Sequence, residues 1–303
     1  MAIIKLSRLK PYLRWIILGG TIFFIASAIR QNWQEVAAIR ITATGYLKLA
    51  IALLVTLLAH IWSGWVWSWI LRELNQPASG LWSIRVYLTT NLAKYLPGNV
   101  WHFYGRVIAA KNAGFSVGAA TVSVLLESLL MAAAALAIAL ITGNRTNSVI
   151  QFLCLCAVLI AIHPRVLNSL LQLASRLKGK PQDVQVAQLQ PPVQIRQYPI
   201  LPLLGEAGFV TLRGLGFWLT LLALSPIAPT QISSILSAFS FAWVLGLVVP
   251  GAPGGIGVFE ATTIALLGSQ ISSGILIGGV ALYRIISILA EVGGASLAGV
   301  KTR

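Results

Sequence analysis

The chain has 303 residues, of which 57% are hydrophobic and only 10% charged, with a mean hydropathy of +0.83. A soluble domain averages about 25% charged residues, so this composition cannot cover a water-soluble globule and marks an integral membrane protein. Twenty-two Lys+Arg stand against seven Asp+Glu, a net charge of +15; in a membrane this excess is first a signal of topology and of contact with anionic headgroups, and no nucleic-acid partner is expected.

A transmembrane helix needs about 20 predominantly apolar residues. The first candidate, Trp15–Ile29, follows Lys5, Arg8, Lys10 and Arg14 and ends in Ala26-Ser27-Ala28, the form of a cleavable secretory signal; the uncleaved reading is preferred because the topology below needs this span. Tyr46–Leu71 is the second. The stretch from Leu81 to Ala113 is apolar but breaks at Pro97-Gly98. Val117–Thr142 and Val149–Leu171 follow, then a hydrophilic cytoplasmic linker at 175–198, then Pro199–Leu224. The stretch from Gln231 to Gly268 breaks at Pro250-Gly251-Ala252-Pro253-Gly254-Gly255-Ile256-Gly257, and Ser272–Val300 is the last span. No helix survives such breaks, because Pro removes a donor and clashes with the preceding turn while Gly loosens the backbone. With arms of about 15 residues, too short to cross at 1.5 Å per residue, both broken stretches read as re-entrant helical hairpins; two full spans looped at the prolines are the alternative. Cys154 and Cys156 imply no disulfide framework, and His60, His102 and His163 are scattered, so no metal site is expected.

The fold class is therefore an all-α polytopic membrane protein of about six transmembrane helices plus two re-entrant hairpins. Six crossings put both termini on one side. With the N-terminus cytoplasmic, sixteen basic residues fall inside or in the inward hairpin, and four, Arg30, Arg40, Lys48 and Arg145, fall outside. That bias predicts an inner-membrane protein with cytoplasmic N- and C-termini.

An offset of 156 residues places Pro97-Gly98 on Pro253-Gly254, Ser116 on Ser272, and Glu127-Ser128 on Tyr283-Arg284. One offset superposes span, broken hairpin and following span in order. The chain thus reads as a single transmembrane domain, 1–303, with a first repeat at 12–142 and a second at 148–300. Three crossings per half make the repeat inverted, a pattern that in secondary transporters marks a site near the midplane; chance alignment of Pro-Gly breaks in a Gly-rich chain is the competing account.

Glu127 is the one charged residue between Lys111 and Arg145, and Glu260 the one between Arg213 and Arg284. A carboxylate at membrane depth is expensive unless it has a partner or faces a cavity, so Glu127, Arg213, Glu260 and Arg284 form an expected midplane charge network; a purely structural pairing is the alternative. Glu206 with Arg213, and Arg284 with Glu291, are spaced i, i+7, too far to bond within one helix. Around Pro97-Gly98, the residues Lys94, His102 and Arg106 beside a half-helix N-terminus favour an anion, and a lipid phosphate is the obvious one. The helix breaks at Pro97, Gly98, Pro250, Gly251, Pro253, Gly254, Gly255 and Gly257 would form the site. Trp62, Trp65, Trp67, Trp69, Trp82 and Trp101 read as an interfacial belt. There is no G-x-S-x-G, H-E-x-x-H or P-loop, Gly255-Ile256-Gly257 is only a fragment of a nucleotide pattern, and no acidic cluster could hold Mg²⁺. Neither enzymatic activity nor a cofactor is expected.

Lys94-Tyr95-Leu96-Pro97-Gly98, Gly105-Arg106, Ala113-Gly114-Phe115-Ser116 leading to Leu125-Leu126-Glu127, and Pro253-Gly254-Gly255-Ile256-Gly257-Val258-Phe259-Glu260 with Tyr283-Arg284 resemble the lysylphosphatidylglycerol synthase transmembrane region family over nearly the whole chain. Where that family commonly has Glu-Arg and then an Asp, this chain has Glu127-Ser128 and Met131. The resemblance implies a flippase-like membrane domain, as in the multiple peptide resistance factors, without their synthase domain. The expected function is a translocator of an anionic or modified phospholipid or lipid-linked headgroup; a small-solute or ion carrier, or a scaffold for a lipid- or glycan-modifying enzyme, are the alternatives. Membrane lipids are the expected partners, with room for a homodimer and for a lipid-modifying enzyme.

Overall fold

The computed structural model describes residues 30, 33–95, 100–143, 148–169, 194–248 and 257–299. The expected first span, Pro97, Gly98, Pro250, Gly251, Pro253, Gly254, Gly255 and most of the linker lie outside these residues. The described elements are helical: α1 (Trp33–Ala38), α2 (Ala43–Glu73), α3 (Gly80–Asn91) with a 3₁₀ turn (Leu92–Tyr95), α4 (Trp101–Asn112), α5 (Val117–Thr142), α6 (Ser148–Ala161), α7 (Ile200–Leu224), α8 (Ile232–Val248, entered through a 3₁₀ turn at Pro229–Gln231), α9 (Val258–Leu267) and α10 (Ser273–Gly299). Side-chain caps set several starts, as where Thr42 accepts from Gly45 N at 3.1 Å and Ser116 receives the N–H of Ala119 at 3.4 Å, each satisfying one of the amides a helix leaves open.

By length and composition, five described helices can cross a membrane: Ala43–Glu73, Val117–Thr142, Ile200–Leu224, Pro229–Val248 and Ser273–Gly299. The chain is an all-α, multi-pass membrane protein. Two expectations change. The span expected at Val149–Leu171 ends at Ala161, because Pro164 cannot continue a helix and instead opens a new one; 14 residues reach only about 21 Å. The first arm of the second broken stretch, expected near 15 residues, is 20 residues long from Pro229 to Val248. Its second arm, α9, has 10 residues, and α3 and α4 have 12 each, too short to cross. Helix starts are spaced by nearly the same offset, 157, 157 and 156 residues: α2 and α7 begin at 43 and 200, α4 and α9 at 101 and 258, and α5 and α10 at 117 and 273.

The packing is inside-out relative to a soluble bundle. Large apolar side chains such as Leu54, Leu125, Leu204 and Leu289 point outward, while Thr56, Ser63, Ser68, Ser123 and Thr220 are fully buried. Lipid is as apolar as leucine, so helices here associate through close contact of small residues and through interior hydrogen bonds. The α2–α7 pair follows this rule. A Cβ on Gly45 would strike Ala223 O at 2.8 Å, one on Gly216 would strike Thr56 Oγ1 at 2.6 Å, and one on Gly205 would strike Val66 Cγ2 at 2.6 Å. The contacts pair early residues of α2 with late residues of α7, so the two helices run antiparallel. Trp62 seals the same seam, donating Nε1 to Gly205 O at 2.8 Å. Trp67, expected at the interface, is fully buried and donates Nε1 to Ser123 Oγ at 3.1 Å, while Trp82 stacks on it at 5.7 Å. In the second half, Phe217, Phe239, Phe259 and Tyr283 form a ring cluster with centroids 5.4–5.9 Å apart that joins α7, α8, α9 and α10.

At Gly64 any Cβ would meet Ile84 Cα at 2.8 Å and Tyr87 Cβ at 3.0 Å, and the first is backbone that cannot rotate away. Gly64→Val is expected to force α3 off α2 and lower stability by about 1–3 kcal/mol. Gly293→Ala, with nothing within 4 Å of its Cβ, is expected to be neutral or to stabilise by about 0.5–1 kcal/mol. Thermal unfolding in detergent micelles distinguishes the two.

Candidate functional site

A cavity of about 560 Å³ lies between the two halves, lined by side chains of α2, α3, α4, α5, α7, α8, α9 and α10 and of the Leu92–Tyr95 turn. Three ion pairs surround it, one buried on both sides and two whose cation is partly exposed. Arg106 of α4 pairs through Nη1 with Glu127 Oε2 of α5, both side chains 3% exposed or less. The guanidinium lies over the Tyr87 ring at 4.1 Å and the Trp67 ring at 5.7 Å, cation–π contacts that hold it where little water reaches. In the second half, Arg284 of α10 donates to Glu260 Oε1 of α9 from Nη2 at 2.6 Å and from Nε at 3.2 Å. The other carboxylate oxygen, Oε2, accepts the N–H of Gly257. Gly257 has φ +88°, a conformation that favours glycine, and Glu260 at the third position of α9 satisfies an open amide at the helix's positive end. One carboxylate thus caps α9 and ties it to α10.

The two pairs occupy equivalent places, each joining the arm after a break to the span that follows, with the charges exchanged: the first half has cation on arm and anion on span, the second the reverse. The third pair crosses between halves. Lys94 Nζ donates to Glu291 Oε1 at 2.6 Å, and His60 Nε2 stands 3.3 Å from the same oxygen. His60 Nε2 is also 3.4 Å from Arg213 Nη1. One imidazole nitrogen cannot donate to Glu291 and accept from Arg213 at once, so His60 serves one neighbour at a time.

Of the expected site residues within the described chain, Lys94, His102, Arg106, Glu127, Arg213 and Arg284 all line the cavity, and Glu260 sits behind Arg284. The expected division between phosphate contacts and charge network does not match their bonding. Lys94 and Arg106 are each matched by a carboxylate, so they belong to the network. His102 packs on Phe103 and leaves Nδ1 without a partner. The i, i+7 residues do pair across helices: Arg284 with Glu260 and Glu291 with Lys94. Glu206 is fully buried, and neither of its oxygens is hydrogen-bonded. His60 and Glu291 were not among the expected site residues. Glu291 carries the signal that singled out Glu127, a carboxylate in an apolar span, and His60 is the sole titratable residue between Lys48 and Arg72.

The cavity also reaches the outer surface. Leu125 and Leu129 of α5 and Leu247 and Val248 of α8 both line it and are 36–63% exposed. At their other ends the same helices are bonded together, Ser237 Oγ donating to Ala139 O at 2.9 Å. Among the described residues, a charged chamber therefore opens sideways between two apolar helices.

Removing one member of a buried ion pair strands the other. Glu127→Ala is expected to lower unfolding stability by about 3–5 kcal/mol, with much of the loss recovered when Arg106→Leu is added to Glu127→Leu; thermal unfolding of the purified variants measures both.

No curated protein matches the chain. It does match the family described as Lysylphosphatidylglycerol synthase TM region, over residues 13–292, which covers all three ion pairs and every residue that lines the cavity. The match fits a membrane domain associated with lipid modification and translocation. The chain belongs to the lysylphosphatidylglycerol synthase TM region family.

Proposed function

We propose that the protein moves a phospholipid or lipid-linked headgroup across the inner membrane, with the headgroup in the charged cavity and the acyl chains left in the bilayer. The observation that carries this reading is the side opening between α5 and α8: a solute carrier has no use for a chamber whose mouth is lined by exposed Leu125, Leu129, Leu247 and Val248, whereas acyl chains require one. The antiparallel run of α2 and α7, together with the exchanged polarity of the Arg106–Glu127 and Glu260–Arg284 pairs, supports an inverted repeat of 12–142 and 148–300. In such a repeat the two broken stretches act as re-entrant hairpins, and their movement against α5 and α10 alternates access between leaflets. Both termini then lie in the cytoplasm, the protein performs no chemistry on its lipid, and the driving force comes from gradient, potential or downstream consumption.

Reconstituted into liposomes with labelled phospholipids and leaflet-specific quenching, the protein is expected to accelerate exchange between leaflets. Glu127→Gln and Glu260→Gln, which keep an acceptor for their arginines, are expected to fold and to slow exchange at least about tenfold. Absence of acceleration for every anionic or aminoacylated lipid overturns the proposal, and unchanged exchange in both variants overturns the role of the charge network.

A further inference from the structure

Two buried charged residues of α7, Glu206 and Arg213, take part in none of the ion pairs among the described residues, and of the two only Arg213 lines the cavity. There are seven Asp and Glu. Glu127, Glu260 and Glu291 are taken by Arg106, Arg284 and Lys94. Glu35 accepts the N–H of Gly274 at 2.9 Å, Glu73 is the last residue of α2, and Asp183 lies in the linker, outside the described residues. Glu206 is seven residues before Arg213 on the same helix, about 10 Å away along its axis.

Among the described residues, therefore, no carboxylate pairs with Arg213. Its side chain is buried with the residue 5% exposed, it lines the cavity, and its Nε has no hydrogen-bond partner. Lys94 and His60 both reach Glu291 Oε1, and Arg213 stands on the far side of His60, 3.4 Å from its Nε2. A guanidinium does not shed its proton, and an isolated charge away from water is strongly unfavourable. The surroundings are nonetheless built to hold this one in place: the guanidinium carbon stands 5.2 Å from the Trp243 ring centre and 5.1 Å from that of Tyr283, and the Tyr283 hydroxyl donates to the Arg213 carbonyl at 2.8 Å. Aromatic faces grip a guanidinium without using its N–H donors.

We propose that Arg213 is the anchor for one phosphodiester anion, and that the cavity selects headgroups of net charge −1 over zwitterionic or cationic ones. This deepens, and rests on, the lipid reading of the cavity. The selectivity follows from what lines the cavity: Glu127 and Glu291 on the wall and Glu260 behind it are paired, and Glu206, which is not hydrogen-bonded, is not among the lining residues, so a headgroup with one negative charge finds Arg213, while a headgroup that also carries an ammonium brings a cation for which no unpaired carboxylate lines the wall.

The test uses the full chain in detergent, with calorimetric titration of dioctanoylphosphatidylglycerol (net −1), dioctanoylphosphatidylcholine (net 0), the lysyl ester of dioctanoylphosphatidylglycerol (net +1), dioctanoylglycerol (no phosphate) and inorganic phosphate. The wild type is expected to bind phosphatidylglycerol most tightly, and Arg213→Gln to weaken that binding roughly ten- to a hundredfold, the worth of one charged hydrogen-bonding partner. It should also remove the preference among headgroups, and Arg213→Lys should restore part of it. Equal binding of dioctanoylglycerol, a preference for the zwitterion or the lysyl ester, or a folded Arg213→Gln variant that binds unchanged overturns the proposal. Should Arg213→Gln fail to fold, the wild-type headgroup series decides. Inorganic phosphate competing as well as the lipid overturns the headgroup assignment and gives Arg213 to a soluble anion. Charge-selective binding without translocation in liposomes sinks the transport reading alone, and translocation with charge-indifferent binding sinks the Arg213 assignment alone.

Discussion

Charge neutrality at low dielectric is the constraint around which this molecule is arranged. Two unit charges at 4 Å interact about four times more strongly at an effective dielectric of 20 than in water, while each ion taken out of water forfeits several kcal/mol of hydration. A buried ion pair is therefore close to neutral as a source of stability but severe as a rule of geometry, because neither member can leave the other. Arg106–Glu127 fixes α4 on α5, and Glu260–Arg284 fixes α9 on α10. Lys94–Glu291 then joins the Leu92–Tyr95 turn to α10, and Glu291 is the one carboxylate among the described residues whose ion pairs cross between halves. Beside that bond, the halves meet through hydrogen bonds such as Trp62 to Gly205 O and Ser237 to Ala139 O, and through apolar contacts, which lipid can replace at little loss.

Those apolar contacts differ between the halves. In the second, a cluster of Phe217, Phe239, Phe259 and Tyr283 fills the space among four helices. In the first, α5 buries Ala119, Ala120, Ala133, Ala134, Ala135 and Ala139, so its neighbours approach closely with little side chain to interlock. Large interlocked rings resist sliding, because displacing one opens voids around the others. An alanine surface is smooth by comparison. That same Ala-lined α5 bounds one flank of the side opening.

Depth in the membrane was legible from the amino-acid order, and direction around each helix was not. Val117–Thr142 emerged with the bounds its apolar run predicted, and Pro199–Leu224 and Ser272–Val300 were each within one residue at either end of the described helix, because spans of this kind are delimited by polar or glycine-rich punctuation. The apolar run Val149–Leu171 contains Pro164, and the helix it predicts ends at Ala161. Glu127 and Glu260 stand out in the sequence as carboxylates where water is scarce, and Arg284, expected in the same network, is bonded to Glu260, whereas the partner of Glu127 was not legible. Arg106 was assigned to a ligand phosphate, while it is the counter-ion of Glu127. In a soluble helix the apolar stripe tells which side faces the core. Here both sides are apolar, so nothing in the periodicity says whether Trp67 looks at lipid or at Ser123, or whether Lys94 looks at the cytoplasm or at Glu291.

The same accounting of charge bounds how an anion can pass through such a chamber. Were Lys94 or Arg106 to bind a phosphate, Glu291 or Glu127 would have to share its cation or lose it, and the loss of a buried partner is of order 3–5 kcal/mol, comparable to the whole affinity of a millimolar ligand. Binding at a cation that has no carboxylate of its own requires no such exchange. The paired charges then act as a fixed wall that shapes the cavity and keeps its helices in register, while the unmatched one supplies the attraction. A wall of this kind is indifferent to whether the chamber is empty or filled, which is a condition any carrier must meet if the same three pairs are to persist while a headgroup enters, crosses and departs.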